Sequence, residues 1–389
     1  STKASTPART DPSECFAYQY NNQSYTLFLF LTMKYIIPII IALAGISGMH
    51  AQDFSKFKAL SDSTFRNSTE YQQANKYQKD AILFLEMLAD THPYYIKKDR
   101  QGKLMAKKDA LLAKCADCTS DSLFCAYLQE ALGLLRDKHT DVIDLAQWAQ
   151  KKQQKPEAEP EPEAEQQSDA VMAKKKDLFA YQIFEQPSIC YLQFNQCADA
   201  RTMRNDALPR FDTFLDSMFC QMDSLKVQTL VVDVQYNNGG SSRLCDELLA
   251  HLYPVHLSKN FNSQMRCSNL AAAYNPRIGV AKTAWENDGH AEELYTFPNS
   301  QPKPVDIPVY QGKVVWVQSR KTFSSAGILI TLARDNKVGE IVGETSTYAP
   351  SHYGEVLPYR LPNTGVVGTI SCKYFTRPDS EHADDPTLE

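Results

Sequence analysis

Val314-Val315-Trp316-Val317, followed by Thr322-Phe323-Ser324-Ser325-Ala326-Gly327, is an apolar β-branched run that breaks into short polar residues. A helix-forming stretch, Ala326–Arg334, comes next. Buried strand, tight turn and helix are the expected elements. The pattern recurs upstream, where Leu230-Val231-Val232-Asp233-Val234 runs into Asn237-Asn238-Gly239-Gly240 and then Arg243–Leu252. Two such units predict an α/β layer with at least partly parallel strands. At these junctions a short side chain stands exposed, and backbone N–H groups at the helix start can hold an anion. One junction offers a hydroxyl, Ser324; the other allows close backbone approach through glycine. Together they point to acyl transfer. Ser324 has a simpler alternative use as the N-cap of the following helix, a place serine favours whatever the chemistry.

Around these units, Ser188–Phe194, Glu340–Val342 and Gly365–Tyr374 read as strands. Leu208–Leu225 reads as a helix with apolar Phe211, Phe214, Leu215, Met218 and Phe219 on one face. Residues 178–389 are therefore expected to form a layered core. Residues 52–149 read as a helical domain: Asp80–Asp90 has helical spacing and stops at Thr91-His92-Pro93, so His92 reads as a helix end. Lys107–Lys114 and Ser122–Arg136 are further amphipathic segments. Between the two parts, 150–177 holds lysine clusters around a Glu-Pro-Glu run and has too few apolar residues to offset ordering entropy. It is expected to be a solvated linker.

A net charge of -5 and a pI near 6.0 give no footprint for nucleic acid. The hydrophobic content of 43% supports a sizeable core. Met33-Lys34, the apolar Tyr35–Ile46 and a small residue at Ala51 read as a signal peptide, 33–51, preceded by an upstream extension, 1–32. The expected destination is export, periplasmic or secreted. An uncleaved segment joined to Tyr25–Leu31 would make an anchor of roughly 20 residues, the one expected membrane contact. Cys115 and Cys118 resemble half a zinc or redox motif, but no second pair at metal spacing accompanies them. A local disulfide or plain thiols are expected, with no metal and no cofactor.

Asp233-Val234-Gln235-Tyr236-Asn237-Asn238-Gly239-Gly240 resembles the Asp-x-Arg-x-Asn-x-Gly-Gly turn of the S41 peptidases, the tail-specific or C-terminal-processing proteases. Thr322–Gly327 resembles their nucleophile turn. Asp335-Asn336-Lys337, Ile341–Thr345, Leu361–Gly365 and Phe375–Asp379 resemble later segments in the same order. The resemblance implies a ClpP/crotonase-like layered core behind an N-terminal helical domain, with peptide or unfolded protein as substrate. The Ser-Lys branch is disfavoured, because Ala349 stands where its lysine would fall. Arg136-Asp137-Lys138-His139-Thr140 is similar to the Asp-x-His-Thr segment of the tricorn-like branch, which implies His139 as base for Ser324. The resemblance places the oxyanion at amides of Gly239 or Gly240 and of Ser325. It places an acidic partner near the C-terminus: Glu381 is the first choice, with Asp384 and Asp385 open. His352 is the reserve base. Three residues depart from the pattern: Lys138 for a serine, Gln235 for an arginine, and Gly327 for a glutamate. They motivate the alternative of an inert peptide- or ligand-binding relative; a small-ester hydrolase is a third possibility. No Gly-Leu-Gly-rich carboxylate-binding loop marks an inserted PDZ domain.

Overall fold

The computed structural model describes residues 58–59, 69–99, 102–153, 177–253, 259–291, 293–297 and 304–388. The upstream extension, the signal segment and most of the linker lie outside the described residues. The strands are β1 (Lys58–Ala59), β2 (Asp141–Ile143), β3 (Phe179–Phe184), β4 (Ile189–Phe194), β5 (Thr229–Asp233), β6 (Asn262–Met265), β7 (Tyr295–Phe297), β8 (Lys313–Gln318), β9 (Glu340–Gly343), β10 (His352–Arg360) and β11 (Val367–Thr376). The α-helices are α1 (Thr69–Gln73), α2 (Lys76–Thr91), α3 (Lys108–Ala116), α4 (Asp121–Leu132), α5 (Leu145–Gln153), α6 (Ala200–Met203), α7 (Phe211–Ser224), α8 (Ser242–Leu252), α9 (Asn269–Tyr274), α10 (Pro276–Asn287) and α11 (Ser325–Asp335). Among the described residues no helix is long and apolar enough to cross a membrane.

One sheet has the order β3-β4-β5-β8-β9. β4, β5, β8 and β9 are parallel, and β3 closes the edge as the antiparallel partner of β4. Parallel strands need crossover helices, and the sequence supplies them. α7 and α8 connect β4–β5 and follow β5; α11 connects β8 and β9. Leu230, Val232, Val234 and Trp316 are buried against Phe211, Leu215 and Met218 of α7 and Leu244 and Leu248 of α8. Each such side chain contributes about 1.5–3 kcal/mol by leaving water. Trp316 Nε1–H donates to the Val338 carbonyl, so its buried polar atom is satisfied.

The second sheet runs β1-β10-β11-β6-β7, with β2 also on β11. The β10–β11 hairpin is its spine. Its turn is held by fully buried Asp80 of α2. That carboxylate accepts from the Asn363 and Thr364 amides, Asn363 Nδ2 and Thr364 Oγ1. The segment read as helical also contributes strands to this sheet: β2, between α4 and α5, pairs antiparallel with β11 through Val142 and Gly368. Just before it, Thr369 Oγ1 donates to the His139 carbonyl, and the Ser371 amide donates to Thr140 Oγ1. The residues around His139 are therefore stitched into the layered core.

Candidate active site

Ser324 sits in a turn whose ends are tied by the Ala326 amide donating to the Phe323 carbonyl, 3.2 Å. Its φ of 55° and ψ of -126° are those of the first central residue of a mirror-image type II turn, a place glycine normally holds. A non-glycine residue there carries about 1–3 kcal/mol of strain. The surroundings impose it. Thr322 Oγ1 donates to the Val234 carbonyl, the Phe323 amide to the Asn237 carbonyl, and Ser346 Oγ to the Thr322 carbonyl. Although Ser324 precedes α11, its side chain caps nothing. Its Oγ stands 3.1 Å from His139 Nε2.

The glycine turn lies directly behind this serine. A Cβ on Gly239, whose φ is +93°, would stand 2.6 Å from the Ser324 Cβ and 2.8 Å from the Ser325 nitrogen. Only a bare backbone fits. The Gly239 amide is already committed, donating to Asn237 Oδ1 at 2.8 Å. Asn237 is fully buried and its Nδ2 donates to the Phe194 carbonyl, so one side chain holds both the turn and β4. Ser325 Oγ donates to the Gly240 carbonyl at 2.6 Å, joining the two junctions. Of the three expected oxyanion donors, Gly239 is therefore spent. The amides of Gly240 and Ser325 have no acceptor among the described residues.

His139 lies in the loop before β2, its ring stacked on Phe323 with centroids 4.8 Å apart and edge-on to Tyr348 at 5.8 Å. Its Nδ1 is buried without a hydrogen-bond partner and faces Asp137 Oδ1 at 3.5 Å. Asp137 replaces Glu381 as the carboxylate beside the imidazole. Glu381 lies exposed in the one-turn helix Ser380–His382, and Asp385 is paired with His382 instead. The physical reason is local. With Arg136 at φ 50°, the turn folds Asp137 back so that its Oδ1 accepts the His139 amide at 2.9 Å. Burial alone would raise the Asp137 carboxyl, but hydrogen bonds with His139 and His92 hold it well below the usual range. His92 was expected only to end α2. It does so, its amide donating to the Leu88 carbonyl, and its Nε2 is also 3.1 Å from Asp137 Oδ2.

His352, the reserve base, is a core residue. Burial lowers it to about 3, its Nδ1 lies 3.0 Å from the Pro350 carbonyl, and its ring packs on Tyr348 and Phe375. Tyr348 also accounts for Gly327. A Cβ on Gly327 would meet the Tyr348 ring at 2.5 Å, so the aromatic ring fills the room a larger residue would take. Lys138 is exposed and donates to Thr347 Oγ1, 3.0 Å. Gln235 is fixed through its backbone, its amide donating to Asp233 Oδ1 and its carbonyl accepting Ser319 Oγ. The Cys115 and Cys118 expectation resolves to free buried thiols, and burial pushes Cys115 up to about 12.

Comparison with known proteins places this geometry. The family model described as Peptidase family S41 matches residues 188–385, just over half of the 389-residue chain. A search of the curated proteins finds no match. Two solved structures share the fold. Mature CPAF complexed with lactacystin aligns with TM-score 0.55 and 13% identity over 83% of this chain and 93% of its own. A peptidase from Parabacteroides merdae ATCC 43184 aligns with TM-score 0.51 and 14% identity over 80% and 88%. At those identities the likeness concerns fold alone. The matched segment begins at β4 and includes both junctions and Ser324; His139 and Asp137 come to it from upstream. With the motifs in order and the layered core that they build, the chain belongs to peptidase family S41.

Proposed function

We propose that the protein is an exported serine endopeptidase that cleaves unfolded or C-terminal peptide segments, with Ser324 as nucleophile and His139 as base. The observation that carries this reading is the 3.1 Å approach of His139 Nε2 to Ser324 Oγ. A serine hydroxyl titrates far above neutrality and needs such a neighbour. His139, with its proton on Nδ1 toward Asp137, accepts the hydroxyl proton at Nε2 as Oγ adds to the peptide carbonyl. The amides of Gly240 and Ser325 receive the oxyanion; loss of one such donor costs on the order of 10²–10³ in turnover. The imidazolium returns the proton to the leaving amine, and water repeats the cycle on the acyl-enzyme. Asp137 stabilises the imidazolium, which requires Nδ1 and Oδ1 to close from 3.5 Å as charge develops.

The departures that motivated an inert relative leave the pair within reach. Tyr348 fills the space at Gly327, Lys138 points to Thr347, and Gln235 is held by its backbone. The test is labelling of the full chain by a fluorophosphonate probe together with cleavage of unfolded peptides. Ser324→Ala is expected to abolish both. Cleavage that survives Ser324→Ala, or a folded wild type that neither labels nor cleaves, would overturn the proposal.

A further inference from the structure

Asp137 is surrounded by donors arranged unequally on its two oxygens. Oδ2 accepts Thr140 Oγ1 at 2.7 Å and is 3.1 Å from His92 Nε2; Oδ1 accepts the His139 amide and faces His139 Nδ1. His92 has no exposed surface and comes from the far end of α2, 45 residues earlier. Its tautomer is dictated by its neighbours. The Tyr94 amide donates to His92 Nδ1 at 3.1 Å, so that nitrogen keeps its lone pair and the ring proton resides on Nε2. His92 is therefore a neutral donor aimed at Oδ2. The ring cannot swing away, because it packs on Tyr353 with centroids 4.6 Å apart and its backbone closes the helix ahead of Pro93.

A carboxylate turns easily about its last torsion. Donors concentrated on one oxygen fix that rotation and leave the other oxygen as the single acceptor for the imidazole. We propose that His92 is a positioning residue for the reaction: through Asp137 it holds Oδ1 toward His139 Nδ1 and so keeps the base in its proton-accepting form. This rests on the Ser324–His139 reading above. It makes the tip of α2 part of the catalytic apparatus although it touches neither nucleophile nor base.

His92 stabilises the ionised carboxylate most when His139 is neutral. Removing it raises the proton affinity of the Asp137–His139 pair, so the acid limb of activity moves to higher pH. The other titratable groups packed here are His352, Tyr348, Tyr353 and Tyr94, whose ring meets His92 edge-on. Burial lowers His352 and raises Tyr348 and Tyr353, so these three stay neutral over the range assayed; Lys138 is exposed and donates to Thr347 Oγ1.

The experiment compares wild type with His92→Phe, which keeps the ring volume and loses the donor, and His92→Gln, whose amide nitrogen reproduces the Nε2 donor. His92→Phe is expected to lower kcat about 10–100-fold at unchanged KM and to raise the acid limb of the pH profile. His92→Gln is expected to restore most of both. Should His92→Phe not fold, His92→Asn carries the test, because its amide is one bond too short to reach Oδ2. Thermal melting is followed in parallel. Altered melting with wild-type kcat and acid limb in the donor-less variants would overturn the proposal and leave His92 a packing residue. A second readout needs no turnover. In a Ser324→Ala background, ¹⁵N NMR of the His139 ring should show proton uptake shifted to higher pH by His92→Phe. An unchanged titration sinks the His92 role, whereas failure of the wild type to label or cleave sinks the underlying peptidase reading.

Discussion

Ser324 pays in backbone strain for where its hydroxyl points. A helix-capping serine would adopt extended backbone, and its oxygen would accept from the first-turn amides. Ser324 instead holds φ 55° and ψ -126°, and its oxygen goes to His139. Ser324→Gly is therefore expected to be more stable than Ser324→Ala by about 1–3 kcal/mol, since only alanine inherits the strained conformation. Urea unfolding of the two variants measures this; equal midpoints would show that the turn is relaxed. At this scale Ser324, His139 and the glycine turn were legible because each stands in a motif. Asp137 was equally visible, two residues before His139, but nothing in the chain announces that Arg136 adopts a left-handed conformation and folds the acid back. Asn237 and His92 act through hydrogen bonds that join distant segments, which no local pattern reveals.

Among the elements, strands with unbroken apolar runs and helices with strong periodicity were readable to within a few residues: β5, β8, α7, α8 and α11. β10 was not. His352–Arg360 contains Gly354 and Pro358, which weaken any strand reading, and a break at Glu355, whose φ is 55°. Its register with β11 is the same on both sides of that residue, Gly354 facing Lys373 and Val356 facing Ser371, and only Glu355 is left out of the ladder. β10 is a strand because β11 and the α2 clamp make it one. Asp80 is the clamp's shared acceptor, and each donor around it is left unpaired if it is removed. Asp80→Ala is expected to cost about 1–3 kcal/mol, the cost of leaving buried donors unsatisfied. Differential scanning calorimetry gives the loss, and amide exchange at Asn363 and Thr364 should speed up more than exchange in β5. Uniform acceleration across both sheets would show that the clamp has no local role.

At the level of the whole molecule, the helical segment and the core share a sheet through β2 and β11. An engineered protease site within 155–165, cut after folding, should leave two fragments that co-elute and still label at Ser324. Separation of the fragments would show that the tether holds them together. The buried histidine of the second sheet contributes to the acid response. His352 is lowered by burial from 6.5 to about 3. Above 6.5 it is neutral folded and unfolded alike. Below that the unfolded chain takes the proton first, so stability falls as pH drops toward 3. Urea midpoints at pH 7 and about pH 4 should show a smaller loss for His352→Phe than for wild type. An identical loss would assign acid sensitivity elsewhere. The layered architecture was legible from its strand–turn–helix repeats, but the second sheet was not, because its pairings join residues far apart in sequence.

The separation of 185 residues between His139 and Ser324 has a consequence for a chain made from its N-terminus. The imidazole leaves the ribosome long before the hydroxyl, and the last strand, β11, must dock against β2 before the two can meet. On the proposed mechanism, the nascent polypeptide therefore gains hydrolytic power against its neighbours only after that docking. Completion of the fold is itself the safety catch.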